Sequence, residues 1–252
     1  MKKTALISDI HSNLAALTAV FADIDKRGVK DILCLGDIVG YGPQPRECVD
    51  LVIERGIPTI MGNHDHAVLY EPTNFNTGAE RACYWTRSCL DDEPDRQKRS
   101  NRWNFIGKLP VRLQIDNIML VHGSPRKSIN EYIFPDDIYT NPPKISAVFE
   151  RVKHLCFVGH THVPGVFLED PDFYSIEELD YAYQINENEK AIINVGSVGQ
   201  PRDQDIRACY TIIEENKVEF IRVEYEVEQT INMILSNPEL EKFAAERLRD
   251  GR

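Results

Sequence analysis

Residues 5–11 read Ala-Leu-Ile-Ser-Asp-Ile-His. The stretch opens as a short, apolar, β-rich run, the mark of a buried strand, and it closes on an aspartate and a histidine two positions apart. The arrangement recurs along the chain. Ile32–Leu35 leads into Gly36 and Asp37, Thr59–Met61 into Gly62, Asn63, His64 and Asp65, Ile118–Val121 into His122, and Leu155–Val158 into Gly159, His160, Thr161 and His162. Ile192–Val195 is a further run of the same kind. Five of the seven histidines fall in these closing motifs, and as a set the motifs describe a dinuclear metal site.

Helical patterns fill the intervals. Ser12 or Asn13 can cap a first helix whose Leu14, Leu17, Phe21 and Ile24 share one face, with Gly28 as its stop. A second helix carries Pro45 in its first turn, turns Val49, Val52 and Ile53 inward and stops at Gly56. The result is a βαβαβ opening with parallel strands and right-handed crossovers. In open α/β sheets ligands bind beyond the carboxyl ends of the strands. Asp9, Asp37, Asn63, His122 and His160 each follow a run, so all five are expected on one rim.

The bulk properties narrow the class. A chain of 252 residues buries an ample core without a metal or disulfide. Cys34, Cys48, Cys83, Cys89, Cys156 and Cys209 form no CxxC pair and read as reduced core residues. Lys2 and Lys3 resemble the start of a signal peptide, but Ser8 and Asp9 break the apolar run after Ala5, Leu6 and Ile7. No apolar stretch approaches the roughly 20 residues of a membrane span. A cytoplasmic protein without membrane contact is expected. A net charge of −11 argues against a long nucleic-acid partner, which needs a basic face.

Imidazole, carboxylate and amide oxygen together suit Mn, Fe, Zn, Co or Ni, and the lack of cysteine disfavours a structural zinc site. Two divalent metal ions about 3.5 to 4 Å apart can hold a bridging hydroxide and clamp phosphoryl oxygens during in-line attack. The expected chemistry is phosphoester hydrolysis, with manganese as first choice of metal.

These five blocks, in this order, resemble the calcineurin-like metallophosphoesterase family, whose pattern is DxH, GD, GNHD or GNHE, a lone His, and GHxH. Residues 194–203, Asn-Val-Gly-Ser-Val-Gly-Gln-Pro-Arg-Asp, are similar to the glycine-rich strand end of its small bacterial and archaeal branch. The resemblance implies an α/β fold, a two-sheet β-sandwich flanked by helices. It further implies that Asp9, His11, Asp37 and His162 hold one metal, and Asp37, Asn63, His122 and His160 the other, with Asp37 as bridge. His64 matches the family's histidine that contacts the scissile phosphate and assists the leaving group. Asp65 would support it, either by orienting a histidine or by holding backbone. In one respect the chain departs from the pattern. Gly40 and Tyr41 stand where protein phosphatases and symmetrical dinucleoside tetraphosphatases carry an acidic residue and a phosphate-binding arginine. The substrate is therefore expected to differ from a phosphoprotein, with Tyr41 at the substrate and Arg202 as substitute for the arginine; the alternative for Arg202 is a surface ion pair.

The remaining features are plainer. His66 and His154 read as structural. The segment 67–108 interrupts the alternation and reads as a helical cap inserted in a single 1–252 domain, with Ala82, Trp85, Leu90 and Trp103 as apolar contacts and Pro72 and Pro94 dividing it. Its basic run, Arg96, Lys98, Arg99 and Arg102, reads as a solvated loop balanced by Asp91, Asp92, Glu93 and Asp95. Val163–Phe167 reads as a strand and Tyr210–Ile213 with Val218–Tyr225 as a hairpin completing a second sheet. Pro238 is expected to open a last helix striped by Leu240, Phe243, Ala244 and Leu248, packing on its own domain or on another subunit of a homo-oligomer. The reading is a phosphoesterase for a small phosphomonoester, phosphodiester or nucleotide. An asymmetrical dinucleoside polyphosphate hydrolase and a non-catalytic metal-binding scaffold are the alternatives.

Overall fold

Alternate residues of the first strand serve two cores. Ala5 and Ile7 pack towards the first helices, while Leu6 points the other way into the space between two sheets, as the two-residue period of a strand requires. The computed structural model describes residues 2–252; Met1 lies outside the described residues. In chain order β1 is Thr4–Ile7, α1 Leu14–Lys26, β2 Asp31–Cys34, α2 Pro45–Glu54, α3 Asn63–Leu69, α4 Thr77–Asp91 and α5 Arg96–Ile106. Then follow β3 Arg112–Ile115, β4 Ile118–Val121, α6 Asp137–Thr140, α7 Pro142–Phe149, β5 Leu155–Val158, β6 Gly165–Leu168 and β7 Asp172–Ser175. The chain closes with β8 Ala182–Gln184, β9 Ala191–Asn194, β10 Ala208–Glu214, β11 Lys217–Val223, α8 Val227–Ser236 and α9 Lys242–Asp250.

One sheet has the order β2-β1-β10-β11-β8 and the other β3-β4-β5-β9-β6-β7. Leu6, Leu35, Phe157, Ile193 and Phe220 fill the space between them. Leu6 is fully buried, and truncating such a side chain to alanine costs about 2–5 kcal/mol. Helices α1 and α2 cover the outer face of the first sheet through Leu17, Phe21, Val49 and Val52. Ile138, Ile145 and Phe149, from α6 and α7, cover the second against Cys156 and Val158. This is the expected two-sheet sandwich flanked by helices. Asn13 caps α1 by accepting from Ala16 N–H at 3.2 Å.

Several expectations need correction. Thr59–Met61 is not a strand: it makes one isolated parallel bridge, Cys34 with Thr59, because the chain turns at once into α3. The 210–225 hairpin joins the first sheet, β10 pairing antiparallel with β1, rather than the second. The last helix begins at Lys242 instead of Pro238, and Phe243 is 58% exposed while Ala244, Ala245 and Leu248 are buried. That stripe docks on Ala82 of α4 and on Ile231 and Ile234 of α8, a helix the pattern reading omitted. The basic run is helical, capped by Asp95, and its Arg102 is buried against Asp50 and Glu93 at 2.6 and 2.8 Å. Pro72 and Pro94 do fall between α3, α4 and α5. No helix among the described residues is long and apolar enough to cross a membrane.

Candidate metal centre

Asp9 and His11 follow β1, Asp37 follows β2, Asn63 opens α3, His122 follows β4, and His160 and His162 follow β5. Parallel pairing of β1 with β2 and of β4 with β5 puts these strand ends at the same rim. Cross-links lock the loops together. Asp9 N–H donates to Gly36 O at 3.0 Å, His11 N–H to Asp37 O at 2.9 Å and Gly159 N–H to His122 O at 3.0 Å. His160 N–H donates to Asp9 Oδ2 at 3.0 Å, tying one sheet to the other. Asp9, His11, Asp37, Tyr41, His160 and His162 all have positive φ, a conformation costing roughly 1–2 kcal/mol per L-residue, so backbone strain is concentrated at this rim.

The structure brings together all seven side chains expected to bind metal. Asp9, His11 and His162 form one compact group and Asp37, His122 and His160 another, with His11, Asp37 and His64 between; ligand atoms within each group lie within 4.8 Å of one another. Asn63 Oδ1 is 3.0 Å from His122 Nε2. Asp37 reaches both sides, its Oδ2 being 3.7 Å from His11 Nε2 and 3.2 Å from His122 Nε2.

The proton inventory shows that a cation fits. His11, His122 and His162 each point Nδ1 at a carbonyl oxygen, of Val39, Leu35 and Gln200, at 3.1, 2.9 and 2.6 Å. A carbonyl only accepts, so each ring carries a proton on Nδ1; the neutral His11 and His162 leave Nε2 as a bare lone pair, and His122 does so once it gives up its second proton. Those Nε2 atoms face one another and the carboxylates. His160 Nε2 and Asp9 Oδ1 are buried with no hydrogen-bond partner, an expensive state for polar atoms unless a metal satisfies them.

Burial sets most of the electrostatics. It pushes His160 down to about 3, helped by His122, and it lowers His11 and His162 as well. His122 behaves differently. Burial opposes its charge, but Asp37 and then Asp9 outweigh burial and push it up to about 9. Burial would raise Asp37, yet His122 and His64 hold it well below the carboxylate range.

His64 is 4% exposed and packs between the rings of Tyr41 and Phe75, 4.6 and 4.8 Å away. Gly40, with φ +96°, makes room for it: a Cβ there would come within 2.8 Å of the imidazole Cγ. The departure from the family pattern at Gly40 is thus a steric necessity for this histidine position. Burial, with Arg202 among the nearby charges, pushes His64 down to about 4. Its Nδ1 is 3.7 Å from Cys83 Sγ.

Asp65 holds backbone. Its oxygens accept from Asp37, Ile38 and Gly62 N–H at 2.8, 3.0 and 3.0 Å, which fixes the loop carrying Asp37. Gly62 lies so close that a Cβ would stand 2.7 Å from the Asp37 carboxyl carbon. Arg202 donates to Gln200 Oε1 at 2.7 Å and its guanidinium lies 5.8 Å from the Tyr41 ring; it makes no ion pair among the described residues. His66 packs on Tyr70 and His154 meets the Asn186 carbonyl, both outside the cluster.

Pattern reading missed three neighbours. Tyr132 stacks on His160 with ring centroids 3.7 Å apart, Phe75 meets His64, and Cys83 faces the same imidazole. None belongs to a motif that marks it, because each comes from a segment that meets the rim only on folding. A cleft of about 440 Å³ bounded by Tyr41, His64, Phe75, Tyr132 and His160 opens beside the cluster. Another, of about 630 Å³, lies at the amino-terminal edge of β1 and β2 and contains none of these residues.

Comparison with known proteins gives a consistent picture. The family described as "Calcineurin-like phosphoesterase superfamily domain" matches residues 2–217. An uncharacterised protein of Methanocaldococcus jannaschii is 38% identical over 257 residues, covering 98% of each chain. The crystal structure of a metallophosphoesterase from Sphaerobacter thermophilus superposes with a TM-score of 0.80 at 37% identity, covering 100% of this chain and 99% of that one. A hypothetical protein from Pyrococcus horikoshii shares the fold, with a TM-score of 0.76 at 20% identity and coverage of 100% and 99%.

Proposed function

The chain belongs to the calcineurin-like phosphoesterase superfamily, and from that premise we propose that it is a hydrolase of phosphate esters working with two divalent metal ions. The observation that carries this reading is that the His11 and His162 Nε2 atoms face each other as bare lone pairs, with His160 Nε2 and Asp9 Oδ1 buried beside them without any hydrogen-bond partner. Asp9, His11, Asp37 and His162 would hold one ion, and Asp37, Asn63, His122 and His160 the other. Bound there, the ions supply Lewis acidity towards a phosphoryl group and an activated water; manganese is the first candidate.

The chain's own groups do the remaining work. The Val39, Leu35 and Gln200 carbonyls fix three imidazole tautomers, and Tyr132 stacks on His160 to hold its plane. Near-complete burial of the ligands excludes competing water. His64 reaches the same cleft without a carboxylate partner in its hydrogen bonding. Neutral at ordinary pH, it still has one N–H to donate to the leaving oxygen, and a substrate dianion arriving beside it favours its protonated form. Tyr41 and Arg202 flank that position.

The test uses protein stripped of metal and reloaded with manganese, offered bis-nitrophenyl phosphate, nitrophenyl phosphate and a panel of nucleotides. Turnover that needs metal and vanishes in Asp37→Asn is expected. Two ions bound per chain with no turnover of any ester would instead identify a scaffold.

A further inference from the structure

Carbonyl oxygens anchor three of the imidazoles at the rim: Val39 for His11, Leu35 for His122 and Gln200 for His162. His160 is held differently. Its Nε2 is buried without any hydrogen-bond partner, and the contacts that fix the plane of its ring are with other rings. His122 lies 4.9 Å away, tilted by 57°. Tyr132 lies almost face to face with it, the ring centres 3.7 Å apart and the planes 18° from parallel.

Tyr132 belongs to the segment between β4 and α6, which leaves the rim directly after His122 and turns back to it. The segment is tied down on both sides of that ring. Before it, the Glu131 carboxylate accepts from Ser124 Oγ and from Arg126 Nε, the latter at 3.1 Å. After it, Ile133 is buried with Val121 and Ile138 in the cluster that covers the second sheet, and Phe134 N–H donates to Asp137 Oδ2 at 2.7 Å. Phe134 also stacks on Tyr132, with ring centres 5.1 Å apart and planes 7° from parallel. Tyr132 itself is 38% exposed, so the burial that anchors the segment comes from Ile133 and not from the phenol ring.

A face-on stack is a poor arrangement for two neutral rings. Aromatic pairs prefer offset or edge-on contacts with centres about 4.5 to 7 Å apart, because face-on stacking opposes two negative π faces. An imidazole that gives a lone pair to a divalent ion is electron-poor, and it then attracts the phenol face as a cation does. The stack on Tyr132 therefore gains strength when His160 ligates, and by linkage it strengthens the ion that His160 holds. His122 and His160 fall in one group with Asp37, so a single segment leaves from one ligand of that ion and closes on the face of another. In the other group, Asp9, His11 and His162, both imidazoles have carbonyl anchors of their own.

We propose that Tyr132 is a positioning residue that braces His160 and selectively strengthens the ion held by Asp37, Asn63, His122 and His160, leaving the ion beside Asp9, His11 and His162 independent of it. The proposal rests on reading the rim as a two-metal centre and makes no use of which ester is cleaved.

The experiment is titration of metal-free protein with manganese, with calorimetry for affinity and elemental analysis for stoichiometry. The wild-type chain should take up two ions. Tyr132→Leu, which fills space without a π face, should weaken one of them by about 10-fold to 100-fold, the usual effect of removing the outer support of a metal ligand, and leave the other unchanged. Tyr132→Phe should bind as the wild type does, because the ring makes the contact. Wild-type affinity for both ions in Tyr132→Leu, equal weakening of both, or Tyr132→Phe as weak as Tyr132→Leu overturns the proposal. Binding is read without turnover. Protein that hydrolyses no ester yet holds one ion through Tyr132 would sink the enzymatic reading and leave the brace, and active two-ion protein indifferent to Tyr132 would do the reverse. A wild-type chain that takes up no ion overturns both.

Discussion

The Nε2 atoms of His11 and His162 face each other at 3.2 Å, although each ring has already committed its Nδ1–H to a carbonyl. Two bare lone pairs at that distance repel unless a positive charge lies between or beside them. Stripping divalent metal should therefore lower stability and restoring it should raise stability. At a free concentration 100 times its Kd, each ion contributes about 2.7 kcal/mol. Thermal denaturation with and without chelator measures this, and coincident curves would mean that no ion binds.

Gly40 lies under the His64 ring, so Gly40→Ala tests the position of that histidine without touching its chemistry. The added methyl group needs space within 2.8 Å of the imidazole Cγ, at a φ of +96°. Turnover should fall by about 10²-fold or more, approaching His64→Ala, for which a loss of about 10²-fold to 10⁴-fold is the range of proton-donor removal. Both variants should retain metal by elemental analysis. His64→Ala protein that lost both ions would show that the side chain is a ligand.

Asp65→Asn should be destabilising out of proportion to its size. One amide oxygen cannot replace two carboxylate oxygens accepting from Asp37, Ile38 and Gly62 N–H, and the amide NH2 would face a donor. Leaving a buried donor unsatisfied costs about 1–3 kcal/mol. Urea unfolding of the metal-free proteins reads the difference directly, and a difference below about 0.5 kcal/mol, the size of an ordinary surface change, would remove Asp65 from its backbone-holding role.

Metal uptake should release a proton at neutral pH. In the metal-free chain His122 is pushed up to about 9, so it is charged at pH 7.5 and must give up its proton to ligate. His160, pushed down to about 3, is already neutral and releases none. Affinity for manganese should consequently rise with pH, by up to about tenfold per unit, until about pH 9. The stability of the metal-free chain has the opposite dependence through His122. A folded-state value above the usual 6.5 contributes stability that is complete below 6.5 and is lost as pH rises through 9. Titrations at pH 7.5 in two buffers of different ionisation enthalpy count the released proton; identical heats in both would contradict the assignment.

The order and chemistry of the rim were legible in the sequence. Each of β1, β2, β4 and β5 contains a contiguous apolar run followed within three residues by its carboxylate or imidazole residues, and both the burial of a run and the residue types that end it are local properties. Composition and chain order do not choose partners, however. Thr59–Met61 has the residues of a strand but only one bridge to Cys34, because α3 begins two residues later. The 210–225 hairpin reads the same whichever sheet it joins, and only the pairing of β10 with β1 decided between them. The same holds for side chains that meet the rim from far along the chain. Tyr132 on His160 and Gly40 beneath His64 are juxtapositions across packed elements, and no periodicity or spacing records a contact that exists only once those elements have docked. The sequence alone determined which groups stand at the strand ends; the tertiary structure decided what surrounds them, because pairing and packing are interactions between segments.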